Sequence, residues 1–469
     1  MDRNTYDTIR MALAGLVKGT EWEGHVYLVG GCVRDEVMKG TVKDVDLAVD
    51  LPDGGIRFAG WLQKGGHTAT DVVTYPGYGT AMFRLAGHPD IELEAVQTRK
   101  EKYLDGKSRN PVTAFGTLLD DCFRRDLTIN ALYCNVSTGE VLDPTGKGLE
   151  DIRNQLIRTT TDPDVVYDDD PLRILRCIRF AARFGWQIDD GTWQGMLRHV
   201  DRLSIITPER IRDEVVKMLT CRYPARAMQM LAESGAMRFV IPELEQTYDM
   251  GQNRYHFGSV WEHTIKVVEE LHSDNPMLMM AGLLHDIGKI TTRTVSPEGK
   301  VHFIRHEHES ARLVGQILKR LKFSNDFIHE VQLMVENHMQ TKPWKDDLSM
   351  MKDKHLRKMQ YLAASPERLE QWLQLIDADN RSHAEGFCMY RQADLIRQHS
   401  KQLVEDGTAL FTYRPPLSGD EIMQITGTGP GKHIRDYQLR LLKWTIKKPL
   451  RSRREWVTLV KCLTINKTE

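Results

Sequence analysis

The segment 26–50, VYLVGGCVRDEVMKGTVKDVDLAVD, constrains the fold of this chain more than any other stretch. Its pattern predicts a strand, a Gly-Gly turn, a short helix and a second strand that carries two aspartates. Because side chains alternate along a strand, Asp44 and Asp46 are expected on the same face. Two adjacent carboxylates repel each other unless a divalent cation lies between them. The segment therefore predicts a site for a divalent metal ion between these two carboxylates.

The Gly-Gly turn predicts a phosphate site beside these carboxylates. Gly30 and Gly31 allow the backbone to approach a phosphate closely, and they open a helix whose N-terminus favours anions. Arg34, on the first turn of that helix, is within reach of the same phosphate. Either feature alone is more often a solvated strand end or an ordinary turn. Their order along the chain favours a site for a nucleoside triphosphate with magnesium.

The distribution of strand-like and helical patterns predicts an α+β fold. The 469 residues exceed one typical core and indicate several domains. A predicted amphipathic helix at 1–20 is followed by strand-like runs, and helical patterns then continue almost to the end. The strand-like runs are 25–29, 43–49, 69–75, 80–85 and 90–98. The predicted parts are a head with a small mixed sheet (1–150), a helical neck (151–250), a third helical domain (251–385) and a helical basic tail (386–469).

Composition limits the class of protein. The chain has 64 Lys and Arg against 65 Asp and Glu, so nucleic-acid binding requires a local basic patch. Seven cysteines without CxxC spacing predict reduced thiols. The polar N-terminus is not typical of a signal peptide, and no apolar run reaches the ~18–20 residues of a membrane span. We therefore expect a cytoplasmic protein with no membrane part.

A second group of charged residues lies in CFRRDLTINAL, 122–132. Asn130 follows Asp126 by four residues and is expected on the same face of a predicted helix. The guanidinium of Arg125 matches phosphate oxygens, and a nearby carboxylate accepts hydrogen bonds from ribose hydroxyls. The alternative is that Asp126 only caps the helix beside solvated arginines, which is the better interpretation of this motif taken alone.

Two further features of the head are less specific. Glu94, on the predicted strand 90–98, is a candidate third metal carboxylate, although an exposed strand face is the more common meaning. Residues 99–111 contain five cationic side chains together with Gly and Pro, which predicts a mobile basic loop beside the triphosphate site.

A third group is the helix predicted in DDDPLRILRCIRFAARFGW, 168–186. Asp170, Arg173 and Arg176 recur at three-residue spacing, so we expect them on one face. A carboxylate beside a guanidinium offers an acceptor and paired donors, which suit the edge of a nucleobase. The alternative is an ordinary exposed salt bridge. The next helix, at 206–219, is predicted to brace this one through Glu209, Arg210 and Glu214.

The third quarter of the chain contains histidines and aspartates on helical segments. Imidazole and carboxylate ligands suit divalent metals, and burial of adjacent His and Asp without a ligand costs several kcal/mol. The candidates are His263, His285, Asp286, His306, His338 and Asp379.

The tail contains basic residues interleaved with Tyr437, Trp444 and Trp456. Such spacing is typical of a solvated helix face with aromatic residues in the core, but it also suits a surface that follows a phosphate backbone. The candidate RNA-binding residues are Lys432, Arg435, Lys443, Lys447 and Lys448.

The motifs GGCVRD, DVD, RRDLTIN, DPTG, DDPLRILRCIRFAARF and PERIRDE resemble, in this order, the class II tRNA nucleotidyltransferases of the polymerase-beta-like superfamily. The resemblance implies a CCA-adding enzyme that takes CTP, ATP and the acceptor end of tRNA. It implies Mg²⁺ at Asp44 and Asp46, triphosphate binding by Gly31 and Arg34, and base reading by Asp170 and Arg173. Asp169 stands where the family often has Glu.

The order of the histidines and aspartates in the third quarter resembles an HD phosphohydrolase domain over about 255–385. The resemblance implies a primary metal at His263, His285, Asp286 and Asp379, with His306 and His338 serving a second metal or the phosphate. The identity of the metal is not implied, and no obligatory protein partner is expected. Three alternatives stay open: a poly(A) polymerase of the same superfamily, an RNA-end phosphohydrolase whose head only binds, and an inactive RNA-binding scaffold.

Overall fold

The computed structural model describes residues 3–42, 44–102, 112–253, 255–256, 258–449 and 451–465. The chain divides into two compact units, residues 1–245 and 246–469. The finer division into four domains stays a prediction. Within the described ranges, no helix combines the length and the apolar character that crossing a bilayer requires. The cysteines are free thiols, as predicted.

The first unit is built around a mixed sheet. The strands of this unit are β1 (Val26–Val29), β2 (Val45–Val49), β3 (Val73–Tyr75), β4 (Thr80–Leu85), β5 (His88–Gln97), β6 (Arg99–Lys102), β7 (Val112–Phe115), β8 (Tyr133–Asn135), β9 (Val141–Leu142), β10 (Leu156–Ile157) and β11 (Gln187–Ile188). Seven of them form the sheet in the order β3–β4–β5–β2–β1–β8–β9, in which β2 and β5 are parallel and the other neighbours antiparallel. The predicted α+β head is confirmed.

Helices cover this sheet and continue into the neck. The predicted first helix is confirmed, and it buries Ile9 and Leu13 against sheet residues such as Leu28 and Leu47. The helices of the first unit are α1 (Arg3–Val17), α2 (Gly31–Val37), α3 (Gly54–Lys64), α4 (Leu118–Phe123), α5 (Gly148–Asn154), α6 (Pro163–Asp169), α7 (Leu172–Phe184), α8 (Asp190–His199), α9 (Pro208–Leu219), α10 (Pro224–Glu233) and α11 (Met237–Val240).

Three local predictions need correction. The strand expected at 69–75 is limited to β3, at 73–75. Residues 99–102 of the expected mobile loop form β6, which pairs with β7, while residues 103–111 lie outside the described residues. The helix expected after Asp126 is only a single 3₁₀ turn, Thr128–Asn130, because Leu127 adopts an extended conformation.

The neck helix α7 has the predicted amphipathic character. Pro171 precedes its first residue, and Gly185 ends it with a left-handed φ of 75°. One stripe is buried among the neighbouring helices, and it consists of Leu172, Leu175, Ile178 and Ala182. Of the arginines of this helix, Arg173 and Arg176 contact Arg124 and Asp126 of the head.

The second unit is almost entirely helical. Its helices are α12 (Val260–Leu271), α13 (Pro276–Leu284), α14 (Lys289–Thr292), α15 (His306–Arg320), α16 (Asn325–Asn337), α17 (Asp353–Ala363), α18 (Pro366–Arg381), α19 (Gln392–Glu405), α20 (Gly419–Thr426), α21 (Lys432–Lys447) and α22 (Arg453–Ile465). A short hairpin joins β12 (Arg293–Val295) to β13 (Val301–Phe303). Residues 278–284 of α13 are all buried, because this helix is apolar on every face.

Candidate active sites

The first candidate site lies where β2 and β5 run side by side. Asp46, on β2, is directly opposite Glu94 on β5, and Asp44 lies exposed just before β2. Burial and the neighbouring carboxylates of Glu94 and Asp44, against the lowering effect of Arg125, together raise the pKa of Asp46 to about 6. Glu94 is exposed, as its alternative interpretation expected, and it also faces Asp46. Clustered hard oxygen donors of this kind fit Mg²⁺.

The Gly-Gly turn lies against the second motif. Gly30 has a φ of 75°, a conformation that side chains other than glycine adopt with difficulty. A Cβ built on Gly30 would lie 3.4 Å from Nη1 of Arg125. The turn and Arg125 are thus brought together, and Gly31 opens the helix that carries Arg34.

A chain of polar contacts joins the three predicted motifs. Arg34 donates through Nη1 to Oδ1 of Asn130, and Nδ2 of Asn130 donates to Oδ1 of Asp126 at 3.2 Å. Nε of Arg176 then donates to Oδ2 of Asp126 at 2.7 Å. Burial opposes ionisation of Asp126, but Arg176 and Asn130 lower the pKa of its carboxyl to about 2. Asp126 is therefore an ionised link between head and neck rather than a helix cap.

Asp121 is a site residue that the sequence analysis missed. It is fully buried on α4, and its two oxygens accept from Arg124 at 2.6 Å and from Arg125 at 3.0 Å. The hydroxyl of Tyr133 donates to the same carboxylate at 2.7 Å. Burial acts to raise the pKa of Asp121, but the two guanidinium groups hold it well below its usual range. The sequence signal was the position of Asp121, which precedes Arg124 by three residues and Arg125 by four, the spacing at which side chains on a helix are neighbours.

The predicted pairing of Asp170 with Arg173 is wrong. Asp170 lies before α7 with a φ of −143°, so the helical three-residue spacing does not apply to it. Its Oδ2 instead accepts from Arg210 at 2.7 Å. The Nη2 of Arg173 donates to the carbonyl oxygen of Arg124 at 2.6 Å. The structure therefore places these two side chains near the head but with separate partners.

Aromatic rings and carboxylates contact the arginines on α7 and the arginine of α2 that packs against it. The guanidinium of Arg34 lies 5.2 Å from the ring centroids of both Phe180 and Phe184. Nε of Arg179 donates to Glu214 of α9 at 2.6 Å. Of the three residues predicted to brace this helix, Glu214 and Arg210 contact its arginine or the acid before it, whereas Glu209 is exposed.

The second candidate site is a buried cluster in the second unit. The structure brings its predicted residues together, and two groups of possible metal ligands share Asp286. One group contains His263 and His285, and the other contains His306 and His338. Nε2 of His285 lies 3.2 Å from Oδ2 of Asp286, and Nε2 of His306 lies 3.1 Å from Oδ1. Asp379 joins the first group, with its Oδ1 3.2 Å from Nε2 of His263.

The backbone fixes the orientation of all four histidines. Their Nδ1 atoms lie within 3.1 Å of carbonyl oxygens of Ser382, Gly282, Phe303 and Val335. The proton is therefore held at Nδ1, and Nε2 offers its lone pair to the cluster. Within the described residues, Nε2 of His338 has no hydrogen-bond partner and lies 3.9 Å from Oδ1 of Asp286. A buried, unpaired nitrogen beside a carboxylate shared by two groups of ligands fits a pair of divalent metal ions.

Two lysines and two further histidines surround this cluster, and the sequence analysis missed them. Nζ of Lys289 lies 2.6 Å from Oδ2 of Asp286, and Nζ of Lys342 lies 2.8 Å from Oδ2 of Asp379. Nζ of Lys289 also lies 3.5 Å from Nε2 of His256, and Nζ of Lys342 lies 3.3 Å from Nε2 of His383. Lys289 follows Asp286 by three residues in HDIGK, which was a readable signal, whereas Lys342 lies in an irregular 3₁₀ segment.

The candidate RNA-binding residues all lie on or just after α21. Lys432, Arg435, Lys443, Lys447 and Lys448 are exposed. The interleaved aromatics belong to the core, because Tyr437 and Trp456 are buried and Trp444 packs against the same cluster. The interpretation as a basic face over an aromatic core is confirmed, and contact with RNA stays a prediction.

Comparisons with known proteins agree with this arrangement. The family model described as "Poly A polymerase head domain" matches residues 26–158, "Probable RNA and SrmB- binding site of polymerase A" matches 185–247, and "HD domain" matches 254–381. A multifunctional CCA protein of Aliivibrio salmonicida is 31% identical over 370 residues, which cover 76% of this chain and 84% of the relative. The tRNA nucleotidyltransferase cca1 of Schizosaccharomyces pombe is 26% identical over 93% of this chain and 91% of its own.

Solved structures share the fold. The CCA-adding enzyme of Bacillus stearothermophilus in complex with CTP superposes with a TM-score of 0.69 at 18% identity, covering 100% of this chain and 99% of the other. The Thermotoga maritima CCA-adding enzyme complexed with tRNA reaches a TM-score of 0.59 at 18% identity, with coverage of 100% and 99%. By its motifs, its fold and its relatives, the chain belongs to the class II tRNA nucleotidyltransferases, the CCA-adding enzymes, and carries an HD domain.

Proposed function

We propose that this chain builds or repairs the 3′-terminal CCA of tRNA from CTP and ATP without a nucleic-acid template. The 3′-hydroxyl oxygen of the RNA attacks the α-phosphorus, the bond to pyrophosphate breaks, and the hydroxyl proton leaves. The observation that carries the proposal is the junction of the two sets of groups that this reaction needs. Carboxylates on β2 and β5 lie beside Arg125, and a continuous polar chain connects Arg34, Asp126 and Arg176.

Each predicted residue has a role in this proposal. Asp44 and Asp46 would hold Mg²⁺, which when bound neutralises phosphate charge and lowers the pKa of the attacking hydroxyl. Gly30, Gly31, Arg34 and Arg125 bind the triphosphate, and Asp126 with Asn130 contacts the ribose. Asp170, Arg173 and Arg176 read the base through hydrogen bonds in place of a template strand. Base reading requires Asp170 to release Arg210 and Arg173 to release the carbonyl of Arg124.

Extension of a tRNA that lacks its last three nucleotides tests the proposal. Purified protein is incubated with Mg²⁺ and CTP, ATP or both, and products are resolved at single-nucleotide length. We expect two additions from CTP alone and three, followed by a stop, from the mixture. A long A ladder that does not depend on CTP would instead identify a poly(A) polymerase. No extension in any mixture contradicts the proposal and favours a head that only binds RNA.

A second candidate function belongs to the HD cluster. We propose that it hydrolyses phosphate esters at RNA ends: water adds to phosphorus, one ester P–O bond breaks, and the departing oxygen takes the proton. The supporting observation is that four histidines direct Nε2 towards Asp286 and Asp379, which fits one or two divalent ions. When bound, such ions supply an activated water.

Phosphate release from an RNA ending in a 3′-phosphate, measured with Mg²⁺, Mn²⁺ and Ni²⁺ in turn, tests this second function. We expect His306→Ala to lose release more than ten-fold. His308→Ala is the matched control, because this histidine lies on the same helix but is exposed and pairs with Glu336 at 3.2 Å. Equal activity of both variants, or no release by the unaltered protein with any metal, contradicts the hydrolase proposal.

A further inference from the structure

Two exposed aromatic rings lie beside the HD cluster. Tyr255 is 44% exposed and Phe387 is 41% exposed. Their ring centroids are 5.0 Å apart at an interplanar angle of 85°. The backbone holds them together, because the amide of Ala384 donates to the carbonyl oxygen of Tyr255 at 3.0 Å and the amide of Phe387 donates to that of Ala384. They form a fixed pair rather than two independent surface residues.

The same backbone pairing brings this aromatic pair close to the predicted metal ligands. His256 follows Tyr255 in the chain and forms a β-bridge with His383. The ring centroid of His256 is 4.6 Å from that of His263 and 4.9 Å from that of His383. Tyr255 therefore lies one residue, and Phe387 four residues, along the chain from histidines that contact the cluster.

Two lysines join the cluster to the histidines that flank the aromatic pair. Lys289 contacts both Asp286 and His256, and Lys342 contacts both Asp379 and His383. Lys289 is buried, so its ammonium group is directed into the cluster rather than into solvent. Two ammonium groups beside possible metal ions suit a phosphate, and flat exposed rings beside them suit a base.

We propose that Tyr255 and Phe387 form a stacking surface for the terminal nucleobase of an RNA whose 3′-phosphate binds at Lys289 and Lys342. This proposal rests on the proposed hydrolase function and specifies its substrate as a nucleotide end rather than any phosphate ester. A peptide segment would cover the rings equally well, but it would bring at most a carboxylate to the two lysines, whereas a nucleotide end brings a more highly charged phosphate. Stacking on aromatic side chains tolerates any base, so the surface selects a nucleotide without selecting its sequence.

Comparison of a substrate with a base and one without a base tests the proposal. Tyr255→Ala combined with Phe387→Ala is assayed on an RNA ending in a 3′-phosphate and on β-glycerophosphate. We expect the ratio of kcat/KM for RNA to that for β-glycerophosphate to fall about ten-fold, through KM. Tyr390→Ala is the matched control, because this ring is 57% exposed and lies against Arg381 instead of the pair. An unchanged ratio, or an equal fall in the control, overturns the proposal.

Equilibrium binding gives a second readout that needs neither turnover nor a metal ion. The Kd of 3′-AMP is measured by calorimetry on the full chain, with Tyr255→Leu combined with Phe387→Leu as a second variant that keeps apolar bulk. We expect Kd to rise about ten-fold in both double variants. If the unaltered protein hydrolyses neither substrate, the hydrolase function fails, and the titration alone decides the stacking surface. Equal Kd values for 3′-AMP in all three proteins overturn it.

Discussion

The two candidate sites hold their charged groups in opposite ways. In the head, Asp44 and Glu94 are exposed and Asp46 is half-buried at the side of a sheet. In the HD domain, His263, His285 and Asp286 are at most 2% exposed, and the backbone fixes each imidazole. The carboxylates of the head site are therefore accessible to solvent. The HD site is a buried set of possible metal ligands inside a helical core.

Because of this difference, we expect the loss of one carboxylate charge to affect stability in the HD domain but not in the head. The head carboxylates repel each other, so loss of one charge removes a repulsion and leaves the fold intact. The HD carboxylates neutralise buried ammonium groups, so loss of one charge leaves a buried cation unpaired. The arginine network between the head and α7 is intermediate, because Arg34, Asp126 and Asn130 are buried like the HD cluster but the network lies next to the Gly-Gly turn of the head.

The largest expected effect on activity comes from Asp46→Asn. The substitution removes a proposed ligand of the Mg²⁺ ion that would stabilise charge in the reaction, so we expect nucleotide addition to fall about a thousand-fold. The melting temperature should change little, because the carboxylate of Asp46 already lies against those of Glu94 and Asp44. Single-turnover addition of CTP to tRNA measures the first effect and thermal denaturation the second. Addition within ten-fold of the unaltered rate would contradict this role for Asp46.

The largest expected effect on stability comes from Asp286→Asn. In the unaltered protein the ammonium of Lys289 lies 2.6 Å from the Asp286 carboxylate. The neutral amide of the variant leaves this ammonium without its charged partner. We expect the free energy of unfolding to fall by about 3–5 kcal/mol in chelator, measured by urea denaturation. Asp44→Asn serves as the exposed control and should change it by less than about 0.5 kcal/mol. Similar losses in both variants would remove the contrast between the two sites.

Asp121→Asn tests whether the buried carboxylate on α4 positions the arginines of the head. We expect addition of CTP to slow by about ten- to a hundred-fold, because Arg124 and Arg125 lose the charge that orients them. The conservative Asp121→Glu should restore part of the rate. Asp120→Asn is the control on the same helix, since its side chain caps α4 and touches neither arginine. A normal rate in Asp121→Asn would contradict the positioning role.

A smaller effect is expected from acid on the head–neck link. The pKa of Asp126 is about 2 in the folded protein, whereas the ordinary value for an aspartate, which applies to the unfolded chain, is 3.8. A depressed pKa means that the carboxylate stabilises the fold above about pH 4 and that this contribution is lost as pH falls towards 2. We expect Asp126→Asn to cost about 2 kcal/mol at pH 7 and about 1 kcal/mol at pH 3. A cost that stays constant with pH, measured by urea denaturation, would contradict the ionised link.

The smallest effect is expected in the tail. Lys443→Ala with Lys447→Ala removes two exposed cations from α21 and touches no buried group. We expect tRNA affinity to fall a few-fold and the slope of log K against log salt to decrease by about 2. Nitrocellulose-filter binding at several salt concentrations measures both. The control is Lys401→Ala with Lys358→Ala, and an equal change there would assign the effect to net charge.

Local pattern predicted the elements, and long-range pairing determined the site. The strand, turn and helix around Gly30 follow from short-range rules, and so do the histidine-bearing helices. The contact of Arg34 with Asn130 spans 96 positions, and no periodicity encodes it. The pairing of Asp170 failed because Pro171 separates it from the helix on which the spacing rule depends. The sequence patterns did not predict Asp121 and Lys342. The importance of Asp121 comes from its burial, and that of Lys342 from a partner distant in sequence, Asp379.

A single substrate tests whether this chain carries a transferase site and a separate hydrolase site. The substrate is a tRNA that lacks CCA and ends in a 3′-phosphate, so extension requires removal of the phosphate first. With CTP and ATP, we expect the unaltered protein to complete CCA. His306→Ala should extend only the matching tRNA with a 3′-hydroxyl, and Asp46→Asn should release phosphate without extending either. If each variant loses both reactions, or if neither loses any, the assignment of two separate sites is contradicted.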